Sequence, residues 1–273
     1  MIQSNYLVWD VSPEIFNIGG FAPRWYGLCF ALGIFLGYQI MRKFFLEARR
    51  SEEELNAGFV LFVFGTIVGA RVGHCLFYEP EYYLSKPWKI LYIWEGGLAS
   101  HGGTIGIFAC MIYYTNKYKI PFFWLADHLA VAIALGIPFI RIGNFFNSEI
   151  YGKATDLPWA VIFKRAAENP SDMIPRHPAQ LYEALCYFVI FFGLSAYYRV
   201  SKGVFPAGRL VGLLLIGVFG SRFFIEFLKE NQVSFENDMV LNMGQLLSIP
   251  MMILGLMFAV GIQKIVKLPE AVK

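Results

Sequence analysis

Charge is what this chain has least of. Only 16% of its 273 residues are Asp, Glu, Lys or Arg, against roughly a quarter in ordinary soluble domains. With 57% hydrophobic and 18% aromatic residues and a mean hydropathy of +0.51, that scarcity argues against a water-soluble globule and for an integral membrane protein. The net charge of +3 is too small to suggest nucleic acid as a partner. Cysteine is also scarce. Cys29, Cys75, Cys110 and Cys186 all fall in apolar runs with no CxxC spacing. That pattern excludes a disulfide framework or a zinc site and leaves four small buried hydrophobes. No cluster with metal-ligand spacing occurs, so neither metal nor cofactor is expected. The N-terminal stretch carries Asp10 and Glu14 and no basic region ahead of the first apolar run. A cleavable signal peptide is therefore not expected, and the first span should stay in the membrane.

What the chain has in abundance is apolar length. Runs of about 18 or more mostly apolar residues read as spans, and about seven occur, near 25–44, 57–78, 98–116, 121–143, 179–198, 207–227 and 243–264. The expected fold is all-α and polytopic, a single transmembrane domain over 1–273 with an extracytoplasmic insertion at about 144–178 forming a small cap. Gly33 and Gly37 make one GxxxG pair, and Gly65, Gly69 and Gly73 make two in series; both spacings signal close helix packing rather than function. With the N-terminus outside and the C-terminus cytoplasmic, the inner loops collect 12 Lys and Arg and the outer side eight, four of those within 144–178. The bias favours that orientation. It also puts Arg71, Arg141 and Arg222 toward the outer ends of spans two, four and six, and His101 and His177 at the outer starts of spans three and five. One site facing the outer leaflet is the economical expectation.

The densest polar block is Arg141-Ile-Gly-Asn144-Phe-Phe-Asn147-Ser-Glu149-Ile-Tyr151-Gly152. An arginine at the edge of a bilayer is expensive to place there, and an anchor would need only one acidic neighbour. Arginine, two amides and a carboxylate within nine residues suit a site that grips a polar lipid head group.

Other candidates carry two readings each. His101, between glycine pairs at 96–97 and 102–103, is either a helix-start histidine bonded to a neighbouring loop or a base, since imidazole titrates near neutrality. Arg71, His74 and Tyr78 share a helical face as a bracing network or as part of the site. Arg222 and Glu226, at i,i+4, form a self-contained ion pair or serve a ligand. Gln180 and Glu183, opening the fifth span, cap its N-terminus or face the interior. Tyr26 fits an interfacial aromatic belt or the site. Asp127 and His128 have no assigned role. A transporter would gather polar groups at the midplane of repeated halves, and no repeat is evident. An intramembrane protease would need a GxSxG elbow or paired aspartates, and Asp127 stands alone within a span.

Taken together, Arg24-Trp-Tyr26-Gly27, Gly69-Ala-Arg71-Val-Gly73, His101-Gly-Gly103, Arg141 through Gly152, His177 through Glu183 and Gly220-Ser-Arg222-Phe-Phe-Ile-Glu226-Phe resemble the prolipoprotein diacylglyceryl transferase family. These pieces run in family order over nearly the whole chain. The resemblance implies a multi-pass enzyme of the bacterial cytoplasmic (inner) membrane, its site toward the outer leaflet. It implies transfer of a diacylglyceryl group from phosphatidylglycerol to the lipobox cysteine thiol of a prolipoprotein. The products would be a thioether and glycerol phosphate, in the first step of lipoprotein maturation. It makes Tyr26, His101, Arg141, Asn144, Glu149, Gly152 and Arg222 functional positions. Arg141 and Arg222 are expected to hold the phosphate, Asn144 to orient the head group, His101 to assist thiol deprotonation and Glu149 to position an arginine or the glycerol hydroxyls. Gly152, Glu226 and Arg71 are added as substrate-binding candidates.

Overall fold

The computed structural model describes residues 6–92, 96–97, 99–167, 169–230 and 239–261. Eight α-helices occur among them: α1 (Trp25–Glu47), α2 (Glu52–Phe77), α3 (Pro80–Ser85), α4 (Ser100–Tyr118), α5 (Phe122–Phe146), α6 (Ala179–Val200), α7 (Arg209–Ile225) and α8 (Met243–Gly261). The chain is a mostly helical, multi-pass membrane protein. Each of the seven expected spans coincides with one of the seven long helices, though residue 98 of the third and residues 262–264 of the last lie outside the described residues. Six helices are long and apolar enough to cross a bilayer. The exception is α4, whose ends, Ser-His-Gly-Gly-Thr and Thr-Asn-Lys-Tyr, dilute its apolar middle. The second helix starts earlier than the apolar run because Ser51 caps it, its Oγ accepting from the Glu54 N–H, with Glu52, Glu53 and Glu54 filling the first turn. Carboxylates there favour the positive end of the helix dipole.

Two compact units emerge, the division falling within α1 after Ile40 and within α5 after Leu125. In the Met41–Leu125 unit, α2 and α4 meet along a seam of small residues. A Cβ added at Gly69 would strike the Gly102 carbonyl, one at Gly106 the Gly65 carbonyl, and one at Gly73 would lie 2.7 Å from the Gly102 Cα. Small residues on both sides let the backbones touch. Gly65, Gly69 and Gly73 are thus matched by Gly102, Gly106 and Cys110, a partner stripe that the sequence reading passes over.

The other unit holds the start of α1, the rest of α5, and α6, α7 and α8. Gly33 packs on the Gly136 carbonyl, with 2.9 Å for a built Cβ, and Gly37 packs on Ala132. Over this framework two short strands pair in parallel, β1 (Leu7–Trp9) with β2 (Val161–Phe163), in the register Leu7↔Val161 and Trp9↔Phe163. Phe145, at the end of α5, sits 4.4 Å from Trp9 and 5.6 Å from Phe163, ring centre to ring centre. The 144–178 segment is therefore folded, with Ala160 through Phe163 fully buried. All four cysteines are free; Cys75 is fully buried and the other three are half-buried.

Candidate functional site

The site in the larger unit grows from the C-terminal end of α5. Gly143 lets the Tyr26 ring lie against the helix backbone: a Cβ there would come within 2.8 Å of the ring. One residue on, Asn144 is buried and accepts from the Arg141 guanidinium at 3.3 Å. The chain then turns sharply through Ser148 and Ile150, both left-handed at φ of 56° and 59°. For a β-branched isoleucine that conformation is strained by about 1–2 kcal/mol. The turn brings Glu149 back to the helix end. Its N–H donates to the Asn144 carbonyl at 3.1 Å, and its Oε1 accepts from the Asn144 amide at 2.8 Å and the Asn147 amide at 3.2 Å. Gln180, fully buried on α6, donates to the Glu149 carbonyl at 2.5 Å. The Arg-x-x-Asn-x-x-Asn-x-Glu spacing is the sequence form of this fold-back.

Arg141 then turns to α6. Its Nε stands 2.9 Å from Oε2 of Glu183, whose side chain is wholly buried; the pair is an ion contact lying off the hydrogen-bond line. The other Glu183 oxygen accepts from Lys229 Nζ at 2.9 Å, and the same ammonium donates to Glu226 Oε2 at 3.1 Å. Arg222 completes the row with its Nε 4.0 Å from Glu226 Oε2, too far for a hydrogen bond. That Nε is buried without an acceptor among the described residues. The sequence thus alternates in sign: Arg141, Glu183, Lys229, Glu226, Arg222. Glycines make room for it. A Cβ on Gly244, in the first turn of α8, would lie 2.6 Å from the Glu226 carboxyl carbon. The same turn is closed reciprocally by Asn242 and Gln245, each side chain accepting from the other's N–H at 2.9 and 3.1 Å, a capping box.

The structure brings Tyr26, Arg141, Asn144, Glu149, Arg222 and Glu226 into this unit, whereas Arg71 and His101 belong to the other. Gln180 and Glu183 face the interior and neither caps α6. Gly152 has a packing reason for being glycine. Its N–H donates to the His177 carbonyl at 2.8 Å, and a Cβ would meet the Leu228 carbonyl at 2.5 Å. Arg71 is likewise committed elsewhere. Its Nε donates to the Ile90 carbonyl at 2.8 Å, one terminal nitrogen to Gly96 at 2.5 Å and the other to Lys89 at 2.7 Å, and the residue is 2% exposed. These contacts have the geometry of the bracing alternative, the guanidinium tying the carbonyls of Lys89, Ile90 and Gly96 to α2. His101 stands exposed in the first turn of α4. His177 packs beside Tyr182, its Nδ1 3.2 Å from the hydroxyl that also accepts from the Trp159 N–H at 2.7 Å. Burial holds its imidazole below the ordinary range, so the neutral form, with Nδ1 accepting, fits the network.

Sequence reasoning missed Lys229, counting it as one more loop lysine. The usable signal is Arg222-x3-Glu226-x2-Lys229, which puts all three on one helical face. It also left Asp127 and His128 without roles. Asp127 accepts from the first N–H groups of α7, and His128 is a core ring packed 5.5 Å from Tyr198.

With that geometry in place, comparison with known proteins gives one answer. The family model described as prolipoprotein diacylglyceryl transferase matches residues 13–261. The chain belongs to the prolipoprotein diacylglyceryl transferase family. A Chloroherpeton thalassium protein is 43% identical over 259 residues, covering 94% of both chains. One from Bacteroides fragilis (strain ATCC 25285) is 43% identical over 273 residues, 95% of this chain and 97% of its own. One from Tolumonas auensis is 45% identical over 251 residues, 92% of this chain and 95% of its own. All three are named phosphatidylglycerol–prolipoprotein diacylglyceryl transferase.

Proposed function

We propose that this protein transfers the diacylglyceryl group of phosphatidylglycerol to the cysteine thiol of a prolipoprotein lipobox, the first step of lipoprotein maturation. The proposal places it in the bacterial cytoplasmic membrane with its N-terminus and site toward the outer leaflet. The loop distribution of Lys and Arg supports that orientation.

The reaction makes one bond and breaks one. A thiolate sulfur attacks the sp3 glyceryl carbon, the carbon–oxygen bond to phosphate breaks, and glycerol phosphate departs with the electron pair. A free thiol titrates near 8.5 and needs a base or a cationic setting. The leaving phosphate is a weak base and needs no acid. It needs donors that strengthen as charge moves onto it, and guanidinium is matched to phosphate oxygens. Arg141 and Arg222 supply them, Asn144 and Glu149 align the head group, and Tyr26 packs at the same helix end. His101 is assigned to take the thiol proton.

The observation that carries the reading is the pair of arginines flanking a buried frame. Their side chains are 18% and 35% exposed, whereas Glu183, Glu226 and Lys229 are 0%, 7% and 3%. The carboxylates are sunk and the guanidinium groups remain reachable. Its test is incubation of purified protein with phosphatidylglycerol and a lipobox peptide, read by peptide mass. A diacylglyceryl shift that needs the peptide cysteine is expected; no shift from folded protein in several lipids would sink the proposal.

A further inference from the structure

The row Arg141, Glu183, Lys229, Glu226, Arg222 contains three cations and two carboxylates. Each carboxylate gives its best contact to the buried lysine or shares it. Glu183 divides its two oxygens between Lys229 at 2.9 Å and Arg141 at 2.9 Å. Glu226 lies 3.1 Å from Lys229 and only 4.0 Å from Arg222. A buried lysine carries a heavy desolvation penalty unless its donors are met, and this one has two carboxylates to meet them. Without that ammonium, both carboxylates would be left to the arginines alone. The row would then be neutral, and an incoming phosphodiester would have to displace a carboxylate from each guanidinium.

We propose that Lys229 is a positioning residue that keeps Arg141 and Arg222 available to a lipid phosphate by occupying Glu183 and Glu226. This rests on the transferase reading above. Within the row alone, Lys229 leaves one positive charge beyond the two carboxylates, and that charge is available to the single negative charge of a phosphodiester.

The chain also holds the lysine in place through its backbone. The Lys153 N–H donates to the Leu228 carbonyl at 2.7 Å, and residues 152 and 229 form an antiparallel bridge. The close approach at Gly152 is what lets that bridge form, since a Cβ would meet the Leu228 carbonyl at 2.5 Å and the His177 Cβ at 2.6 Å. Gly152 thus bears on the arginines through Lys229.

The test is steady-state transfer kinetics with phosphatidylglycerol varied and the lipobox peptide saturating, alongside thermal melting of each variant in detergent with and without added phosphatidylglycerol. Lys229→Met keeps much of the side-chain volume and removes the charge. It is expected to raise the KM for phosphatidylglycerol about tenfold or more and to shrink the melting shift given by that lipid, with kcat changed much less. Lys229→Arg is expected to stay within a few-fold of the native KM. Lys229→Met combined with Glu226→Gln restores the surplus charge and is expected to recover most of the lost affinity, which also answers the case in which the single variant folds poorly. Gly152→Ala is expected to raise the KM in the same sense, and to add little to Lys229→Met when the two are combined.

A native KM and lipid shift in folded Lys229→Met, or no recovery in the double variant, would overturn the inference while leaving the transferase reading intact. A native protein that transfers nothing would instead remove the reading on which the inference rests.

Discussion

Asp127 on α5 caps a helix that begins far downstream: its Oδ2 accepts from the Gly208 N–H at 2.7 Å and its Oδ1 from the Val211 N–H at 3.0 Å. Asp127 is 1% exposed, so the first turn of α7 meets its carboxylate away from the protein surface. Gly208 adopts φ 78° to present its N–H. The arrangement joins two long helices at their ends, and it is α7 that delivers Arg222.

Asp127→Ala should therefore lower stability by about 1–2 kcal/mol, the range for loss of a helix cap, with Asp127→Asn milder. Thermal melting in detergent measures it, and transfer activity should follow the folded fraction. An unchanged melting temperature would contradict the capping role.

Arg141 divides its guanidinium between Glu183 and Asn144, so its planar fork matters beyond its charge. Arg141→Lys should lose on the order of tenfold in kcat/KM for phosphatidylglycerol, and Arg141→Ala on the order of a hundredfold or more. Equal kinetics for the lysine variant and native protein would mean that a point charge suffices.

His101→Gln isolates the proton-transfer assignment. If the imidazole takes the thiol proton, kcat/KM falls and the acidic limb of the pH profile, which reports an essential base, shifts or disappears. Full activity with an unchanged profile would leave thiol activation to the arginine-rich field.

Arg71→Met separates bracing from lipid binding. Unsatisfied carbonyls at Lys89, Ile90 and Gly96 should lower stability by about 1–3 kcal/mol, while the KM for phosphatidylglycerol of the folded protein stays near native. A selective rise in that KM without loss of stability would place Arg71 in the substrate site.

In the proposed direct transfer no enzyme thiol is needed. Changing Cys29, Cys75, Cys110 and Cys186 together to Ala should leave most of the activity, measured by peptide mass at matched folded protein. Loss traced to one cysteine in a folded variant would argue for a covalent intermediate.

The elements most legible in the sequence are those encoded locally. Apolar length gave the long helices, and the crowding of Arg141, Asn144, Asn147 and Glu149 within nine residues marked the polar block at the end of α5, though the turn that folds Glu149 back onto Asn144 did not show in the spacing. What was hidden depends on distant partners. Arg71 reads as a possible phosphate ligand because carbonyl acceptors leave no mark in a sequence. Lys229 reads as a solvent lysine because Glu183 approaches it from another helix. Asp127 stands 81 positions from the N–H group it receives. The small-residue stripe on α2 was readable, but its counterpart on α4 is masked by the more polar ends of that helix. Orientation rests on loop charge, and three of the lysines used for it, at 264, 267 and 273, lie outside the described residues.

The seam between α2 and α4 has a consequence for His101. Gly102 is wedged against Gly69 and Gly73 by main-chain atoms alone, so the backbone beside the histidine is located by a contact in which its own side chain has no part. The imidazole is mounted on a fixed post. Exchanging it alters the chemistry offered at that point and leaves the post where it was, which is the condition under which a single-residue replacement reports on reactivity rather than on shape.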